Sequence, residues 1–113
     1  MDSYAIKQHD LEPTFEVQLL DGVTPVDLSN AVGAKFIMRN RKGIKISSAM
    51  AISTQTLTPG VVTYAWQLGD TDTAGTYQAE IQVTWPGGRP QTFPGSDYLS
   101  IQVVKDLDQA GAV

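Results

Sequence analysis

The segment from Tyr77 to Thr84 alternates strictly between apolar and polar residues, and no other feature of the chain constrains its fold as much. A period of two residues is that of a β-strand with one buried face and one solvent-facing side, and it fits the helical period poorly. The sequence therefore predicts a half-buried strand. The two faces are Tyr77, Ala79, Ile81 and Val83 against Gln78, Glu80, Gln82 and Thr84.

Seven other segments carry the same alternation or a weaker form of it. Clusters of glycine, proline, aspartate and asparagine separate them and predict turns. Short strands at this spacing, with no long helical pattern, are typical of an all-β sandwich or barrel. We predict one helical turn over 27–31, with Asp27 as its N-cap. The clear strands lie at 15–20, 61–66 and 99–104, and the weaker ones at 4–8, 34–39, 44–47 and 50–54.

A second local signal directly precedes the best strand. The run DTAGTY at 72–77 places a tyrosine after a turn of small polar residues. In immunoglobulin-like sandwiches, a tyrosine near the start of strand F sends its hydroxyl back to the upstream backbone. We therefore predict a tyrosine corner formed by Asp72, Gly75 and Tyr77, within an all-β, immunoglobulin-like antiparallel β-sandwich of seven to eight strands. Antibody domains carry a cysteine two residues later, where this chain has Ala79; a plain turn of small polar residues is the alternative interpretation.

The alternation assigns one set of side chains to the core of a single domain, predicted to span residues 1–104. A chain of 113 residues is long enough for one such core and too short for two domains. The tail, residues 105–113, shows no pattern of its own, and we expect a neighbouring subunit to hold it. The predicted core consists of Phe15, Val17, Leu19, Phe36, Tyr64, Trp66, Ile81, Val83, Leu99 and Ile101.

Composition favours other proteins as partners. A net charge of −4 and a pI of 4.6 disfavour binding to the phosphates of nucleic acids. No segment approaches the about 20 apolar residues of a membrane span, and residues 1–4 lack the basic and apolar regions of a secretory signal. The absence of cysteine excludes disulfides and thiolate ligands and suits assembly in a reducing cytoplasm.

Polar side chains give no pattern of a catalytic, metal or cofactor site, so we predict that the protein is not an enzyme. The only histidine, His9, has Asp10 and Glu12 as neighbours, and we interpret this group as surface residues at the exit of the first strand. Calcium loops need further ligands, and glycosidases need two carboxylates held across a cleft. The acidic pairs that lack such support are Asp70 with Asp72, and Glu80 with Asp97.

Some apolar side chains break the alternation and are predicted to face outward. Scattered singly they need no explanation, whereas a cluster would mark an interface. Trp85 lies at a strand end beside a Pro-Gly-Gly turn, where it either covers the end of the sandwich or contacts a partner. The candidate interface residues are Leu20, Ile37, Val61, Trp85, Val104 and Leu107.

Four basic residues, Arg39, Arg41, Lys42 and Lys45, gather around one predicted hairpin. On an acidic protein, a basic rim of this kind can orient docking. A solvated hairpin tip is the simpler interpretation.

The order and spacing of several stretches resemble the N-terminal domain of the phage baseplate upper protein family. The most specific stretch is YAWQLGDTDTAGTY at 64–77, continued by QAEI at 78–81. The resemblance extends from about Tyr4 to Leu107, and His9 departs from it, because the family has a small turn residue there, usually glycine. The other stretches are IKQHD at 6–10, PVDLS at 25–29, KFIMR at 35–39, QTFP at 91–94 and YLSI at 98–101.

The resemblance implies an immunoglobulin-like domain of a bacteriophage virion that acts by attachment and supplies no catalytic residues. In longer members this domain anchors a protein to the baseplate, and later segments carry the receptor-binding parts. Here only 105–113 follow the domain, which favours an adaptor, plug or decoration role over direct host recognition.

We therefore expect a non-catalytic structural protein of the tail or baseplate, assembled in the host bacterial cytoplasm. It is expected in several copies per virion, with other phage structural proteins as partners and with neither nucleic acid nor membrane. One alternative is a capsid-decorating, minor capsid protein of the phage head. An alternative of another class is a carbohydrate-binding module built on Trp85, Phe93 and Tyr98, beside Gln91 and Asp97.

Overall fold

The structure is a computed structural model that describes residues 3–107. Every regular element in that range is a β-strand, which confirms the predicted all-β class. The ten strands are β1 (Ser3–Lys7), β2 (Phe15–Gln18), β3 (Leu20–Asp21), β4 (Thr24–Pro25), β5 (Gly33–Asn40), β6 (Gly43–Ile52), β7 (Val61–Tyr64), β8 (Gly75–Trp85), β9 (Arg89–Phe93) and β10 (Leu99–Val104).

Seven strands form one curled, mixed sheet in the order β1-β10-β8-β5-β6-β7-β2. β5 pairs along one edge of β8. On the other edge of β8, β10 pairs with residues 75–79 and β9 with residues 81–85. β9 and β10 thus occupy one position in the sheet, interrupted by residues 94–98. The short strands β3 and β4 form a separate hairpin.

β6 belongs to both halves of the curled sheet. Its residues 43–50 pair with β5, and its residues 51–52 pair with β7. The prediction of two strands, over 44–47 and 50–54, is therefore wrong. Ser47 pairs with Ile37 and Ser48 pairs with Phe36 in the middle of this stretch, so the backbone stays extended although serine is common in turns.

The sheet is mixed, because β1 pairs with β10 in parallel. The prediction of a wholly antiparallel arrangement is wrong at this pair. Alternation indicates which face a side chain occupies, but it carries no information about strand direction. Residues 8–14 follow β1 without forming a hairpin and lead the chain to β2 at the opposite edge of the sheet.

The segment 27–31 contains no helix, so that part of the prediction is wrong; it forms a turn in which the Ala31 N–H donates to the Leu28 carbonyl at 3.0 Å, and Asp27 makes the predicted capping contact. Asp27 Oδ1 accepts hydrogen bonds from the Ser29 backbone N–H at 3.0 Å and from Ser29 Oγ at 2.6 Å. The N–H of Val32 donates to the carbonyl of Thr84 at 2.8 Å. This bond draws the chain into β5 before a helix can continue.

All ten side chains that the alternation assigns to the core are buried. Four aromatic rings form its centre, with ring centroids between 5.0 and 6.2 Å apart. Their tilted and edge-to-face contacts are the arrangements that aromatic quadrupoles favour. Trp66 lies beyond the end of β7 and still points inward. The four rings are Phe15, Phe36, Tyr64 and Trp66.

His9 adopts the left-handed conformation, with a φ of 72°, and no other non-glycine residue within 3–107 has a positive φ. Its N–H donates to the carbonyl of Thr71 at 3.0 Å, and the Asp10 N–H donates to the Lys7 carbonyl at 3.1 Å. A tight turn therefore follows β1. Glycine adopts this left-handed conformation more readily than histidine does.

We expect His9→Gly to be more stable than His9→Ala by about 1 kcal/mol. Both variants lack the imidazole, but only alanine carries the steric penalty of the left-handed region. Glycine in turn loses more backbone entropy on folding, which offsets part of that penalty. Urea unfolding of the two variants measures the difference. Equal stabilities would show that the turn relaxes without strain.

Candidate docking surfaces

Two acidic side chains considered as calcium ligands, Asp70 and Asp72, instead hold the loop of residues 65–74. Asp70 Oδ2 accepts a hydrogen bond from the Tyr64 hydroxyl at 2.5 Å. Asp72 Oδ1 accepts one from Lys45 Nζ at 2.8 Å. Each carboxylate therefore ties the loop to a strand.

Tyr77 closes the same loop from its C-terminal side. Its hydroxyl donates to the carbonyl of Thr73 at 2.6 Å, and the side chain is 1% exposed. This is the upstream backbone bond that a tyrosine corner requires. Gly75, with a φ of 150°, begins β8 within the corner. Asp72, the third predicted member, makes the ion pair with Lys45 and does not bond to the tyrosine.

Two buried polar side chains, Gln8 and Thr71, join this loop to its neighbours in the fold. Gln8 Nε2 donates to the Asp72 carbonyl at 2.7 Å, and Gln8 Oε1 accepts from the Asp106 N–H at 3.4 Å. Thr71 Oγ1 donates to the Asp10 carbonyl at 3.1 Å. Sequence reasoning singled out neither residue, although Gln8 continues the inward-facing series of β1. Hydrogen bonds therefore join the loop of residues 65–74 to the segments that follow β1 and β10.

These contacts shift the pKa values of three side chains. Burial, together with the hydrogen bond to Asp70, raises the pKa of the Tyr64 hydroxyl well above its usual 10.0. The hydrogen bond to Asp72 raises the pKa of Lys45 above its usual 10.5. The same bond lowers the pKa of Asp72. Since the ion pair is partly exposed to solvent, its contribution to stability is small.

We expect the free energy of unfolding to fall as the pH rises above 10.0. There the unfolded chain releases the proton of Tyr64 while the folded chain keeps it, so ionisation favours unfolding. Tyr64→Phe should reduce the slope by up to about 1.4 kcal/mol per pH unit. Urea unfolding of both proteins from about pH 8 to about pH 11 measures it. A slope that Tyr64→Phe leaves unchanged would contradict the raised pKa.

Within residues 3–107, no group of three or more histidine, aspartate or glutamate side chains is arranged to hold a metal ion. The same range contains no helix long and apolar enough to cross a membrane. The other polar candidates are exposed or half-buried residues of the surface: His9, Asp10, Glu12, Glu80 and Asp97.

The six apolar residues predicted as an interface lie on several sides of the molecule and form no single patch. Trp85 packs against the core, and its Nε1 donates to Gln91 Oε1 at 2.9 Å, which favours its role as a cover. The others are Leu20 beyond β2, Ile37 on β5, Val61 on β7, Val104 on β10, and Leu107 beyond β10 at the end opposite Leu20.

The three aromatic residues proposed as a carbohydrate platform are separated in the structure. Phe93 is buried in the core. Tyr98 precedes Leu99, the partner of Ala79 on β8. Trp85 lies six residues further along that strand, a distance of about 20 Å.

Large aliphatic side chains are exposed in the loops at one end of the sheet. The loop of residues 19–32 contacts the loop of residues 53–60, since the Leu28 N–H donates to Gln55 Oε1 at 3.0 Å. We call this surface the loop end. Sequence reasoning missed most of it, because loop residues have no alternation to violate. Its exposed aliphatic residues are Leu20, Val23, Val32 and Leu57.

Charged residues are segregated along the sequence. Residues 8–34 contain five acidic residues and no lysine or arginine, and residues 28–69 contain five lysine or arginine residues and no acidic one. All ten are exposed. We call the first group, around β2, the acidic side, and the second group, on β5 and β6, the basic hairpin. They are Asp10, Glu12, Glu16, Asp21 and Asp27, and Lys35, Arg39, Arg41, Lys42 and Lys45.

β2 ends the sheet, and no strand within the described residues pairs with its outer edge. Two shallow apolar recesses, of about 150 and 180 Å³, lie beside its two ends. Unpaired backbone groups next to apolar recesses are a surface to which another chain can bind. Leu19, Leu20, Phe93 and Pro94 contribute to the first recess, and Tyr4, Pro13, Phe15 and Trp66 to the second.

No protein-family model matches this sequence, and no curated protein gives a match. The assignment of function therefore depends on the residues and geometry of the chain itself.

Proposed function

We propose that the chain is an immunoglobulin-like β-sandwich whose two layers share β6. One layer holds β1, β10, β9, β8, β5 and residues 43–50 of β6; the other holds residues 51–52 of β6 with β7 and β2. The orders β10-β8-β5 and β2-β7-β6 correspond to the G-F-C and B-E-D orders of immunoglobulin sheets. The aromatic rings between β2, β5 and β7 supply the core that such layers enclose.

We further propose that this sandwich is a non-catalytic structural protein of a bacteriophage virion, acting at the tail or baseplate by protein–protein docking. The observation that carries the proposal is the Tyr77–Thr73 hydrogen bond of 2.6 Å. It lies in the stretch 64–77, where the resemblance to the baseplate upper protein domain is most specific. The left-handed turn at His9 supports the same resemblance.

The loop end is the surface that we propose for docking. Val23 is 93% exposed and Leu57 is 80% exposed, and their loops are held together by Gln55. Exposed aliphatic side chains grouped on a rigid support are typical of surfaces that bind another protein. The bonded loops would meet a partner with little further ordering.

The first test of this proposal is cryo-electron microscopy of the phage particle that carries the protein. We expect density for the sandwich at the tail or baseplate, with the loop end against a neighbouring subunit. Density on the head shell would instead support the capsid-decorating role. Absence of the protein from purified particles would overturn the virion assignment.

A second test uses matched surface variants. Val23→Ser with Leu57→Ser should reduce incorporation into particles, because both remove apolar contact from the loop end. Leu68→Ser, at the opposite end and 89% exposed, serves as the control and should leave incorporation unchanged. Equal incorporation of both variants would exclude the loop end as the docking surface.

The carbohydrate-binding alternative has its own test. We expect no binding on a glycan array, because the three aromatic residues do not share one surface. Glycan binding that disappears in Trp85→Ala, with thermal unfolding confirming an intact fold, would favour the carbohydrate-binding module over the docking protein.

A further inference from the structure

We infer that one copy of this chain binds a second copy head to tail, with the basic hairpin of one copy against the acidic side of the next. This contact does not depend on the proposed virion role, since both surfaces belong to the same chain. The occupant of the β2 edge is then a second copy of the protein.

Charge complementarity is the first observation that favours this occupant. The acidic side carries five negative charges and no lysine or arginine. The basic hairpin carries five positive charges against two acidic neighbours in the fold, Asp72, which pairs with Lys45, and Glu80 on β8, so its charge remains positive. Two surfaces of opposite charge steer the molecules that carry them toward one relative orientation and disfavour other orientations. Contact between two acidic sides, or between two basic hairpins, would instead be repulsive.

The apolar groups of the two surfaces also match. Ile44 on the basic hairpin is 66% exposed and pairs in register with Arg39, so an apolar side chain stands beside the charges. On the acidic side, Leu20 is 45% exposed and lines the recess of about 150 Å³ at the end of β2. Glu16 is exposed on β2 itself and lines the recess of about 180 Å³.

The terminal segment of residues 105–113 is a poorer candidate for this edge. It contains Asp106 and Asp108 against the single basic residue Lys105, so its charge repels the acidic side. The basic hairpin is the region of this chain in which basic residues are concentrated.

Because the two surfaces differ, the contact is heterologous. It leaves an unused acidic side on one copy and an unused basic hairpin on the other. Repetition of such a contact gives a ring if the rotation closes and an open filament if it does not. Association should therefore continue beyond the dimer as concentration rises.

Sedimentation velocity of the purified chain tests the contact, over concentrations from about 10 μM to about 1 mM. We expect association that increases with concentration and weakens when salt is raised from about 0.1 M to about 1 M, where the Debye length falls from about 10 Å to about 3 Å. A monomer throughout this range would overturn the inference.

Charge reversal locates the two surfaces. Glu16→Lys on the acidic side and Arg41→Glu on the basic hairpin should each weaken self-association at least about tenfold. An equimolar mixture of the two variants should associate more strongly than either variant alone, because the unmodified hairpin of one meets the unmodified acidic side of the other and the two reversed charges attract each other. The double variant, with both charges reversed, should recover part of its association.

The control is Arg89→Glu at the turn between β8 and β9, which changes the net charge as much as Arg41→Glu but belongs to neither surface. It should associate like the unmodified chain, and thermal unfolding should show that every variant is folded. Association that survives both Glu16→Lys and Arg41→Glu would overturn the inference. Loss with Glu16→Lys alone would show that another segment occupies the β2 edge.

Discussion

Phe36→Ala should lower the free energy of unfolding by about 3–5 kcal/mol. Phe36 is fully buried, and its ring contacts those of Phe15, Tyr64 and Trp66 at centroid distances of 5.0, 5.0 and 5.9 Å. Because it stands in β5 between the halves of the curled sheet, its loss leaves a cavity that neighbouring rings cannot fill. Domains of this size are stable by only about 5–15 kcal/mol, so the loss is a large fraction of the total.

Urea unfolding measures this loss, and the thermal midpoint should fall by more than about 10 °C. Tyr98→Ala is the control, because Tyr98 is 45% exposed and its truncation leaves no enclosed cavity. A cost for Phe36→Ala no greater than that of Tyr98→Ala would mean that the aromatic cluster is not the centre of the core.

Tyr77→Phe should cost about 1–3 kcal/mol. The substitution keeps the ring but removes the hydroxyl that donates to the Thr73 carbonyl at 2.6 Å. Since the tyrosine is 1% exposed, water cannot readily replace that donor. The loop of residues 65–74 then loses the bond that closes it onto β8.

The measurement is urea unfolding, together with amide hydrogen exchange in the loop, which should become faster. Tyr98→Phe, a change of the same atoms at a partly exposed position, should cost no more than about 0.5 kcal/mol. Equal costs for the two variants would show that the hydrogen bond of the corner contributes little to stability.

The alternation of apolar residues was sufficient to predict the strands that have one buried face. The segment 77–84 lies within β8, and 99–104 coincides with β10, because burial of one face imposes a period of two on any half-buried strand. The ten core residues follow from the same physics.

Elements that depend on pairing were not predictable in the same way. β9 contains Pro90, which has no N–H to donate and is therefore typical of a loop. Because β9 pairs only with β8, its other edge needs no backbone donor, and the strand tolerates the proline. The continuity of β6 through Ser48 depends on its partner Phe36, and the parallel direction of β1 depends on β10. Partners lie far away in the sequence and leave no local pattern.

The candidate surfaces were likewise predictable only in part. The acidic and basic runs are visible in the sequence, but their significance depends on β2 being an edge strand, which only the sheet order reveals. Val23 and Leu57 stand in loops, where exposure of an aliphatic side chain has no sequence signature. Tyr77 was predictable, because a tyrosine after a small polar turn has a specific chemical use.

The parallel pairing of β1 with β10 determines how the molecule would respond to mechanical load. The two strands join five residue pairs, from Ser3 with Ser100 to Lys7 with Val104. A force that pulls Ser3 and Val104 apart acts along both strands in opposite directions, so it shears all their backbone hydrogen bonds together and does not unzip them singly. A part held by its two termini within a larger body would therefore resist extension at this pair before the rest of the sheet yields.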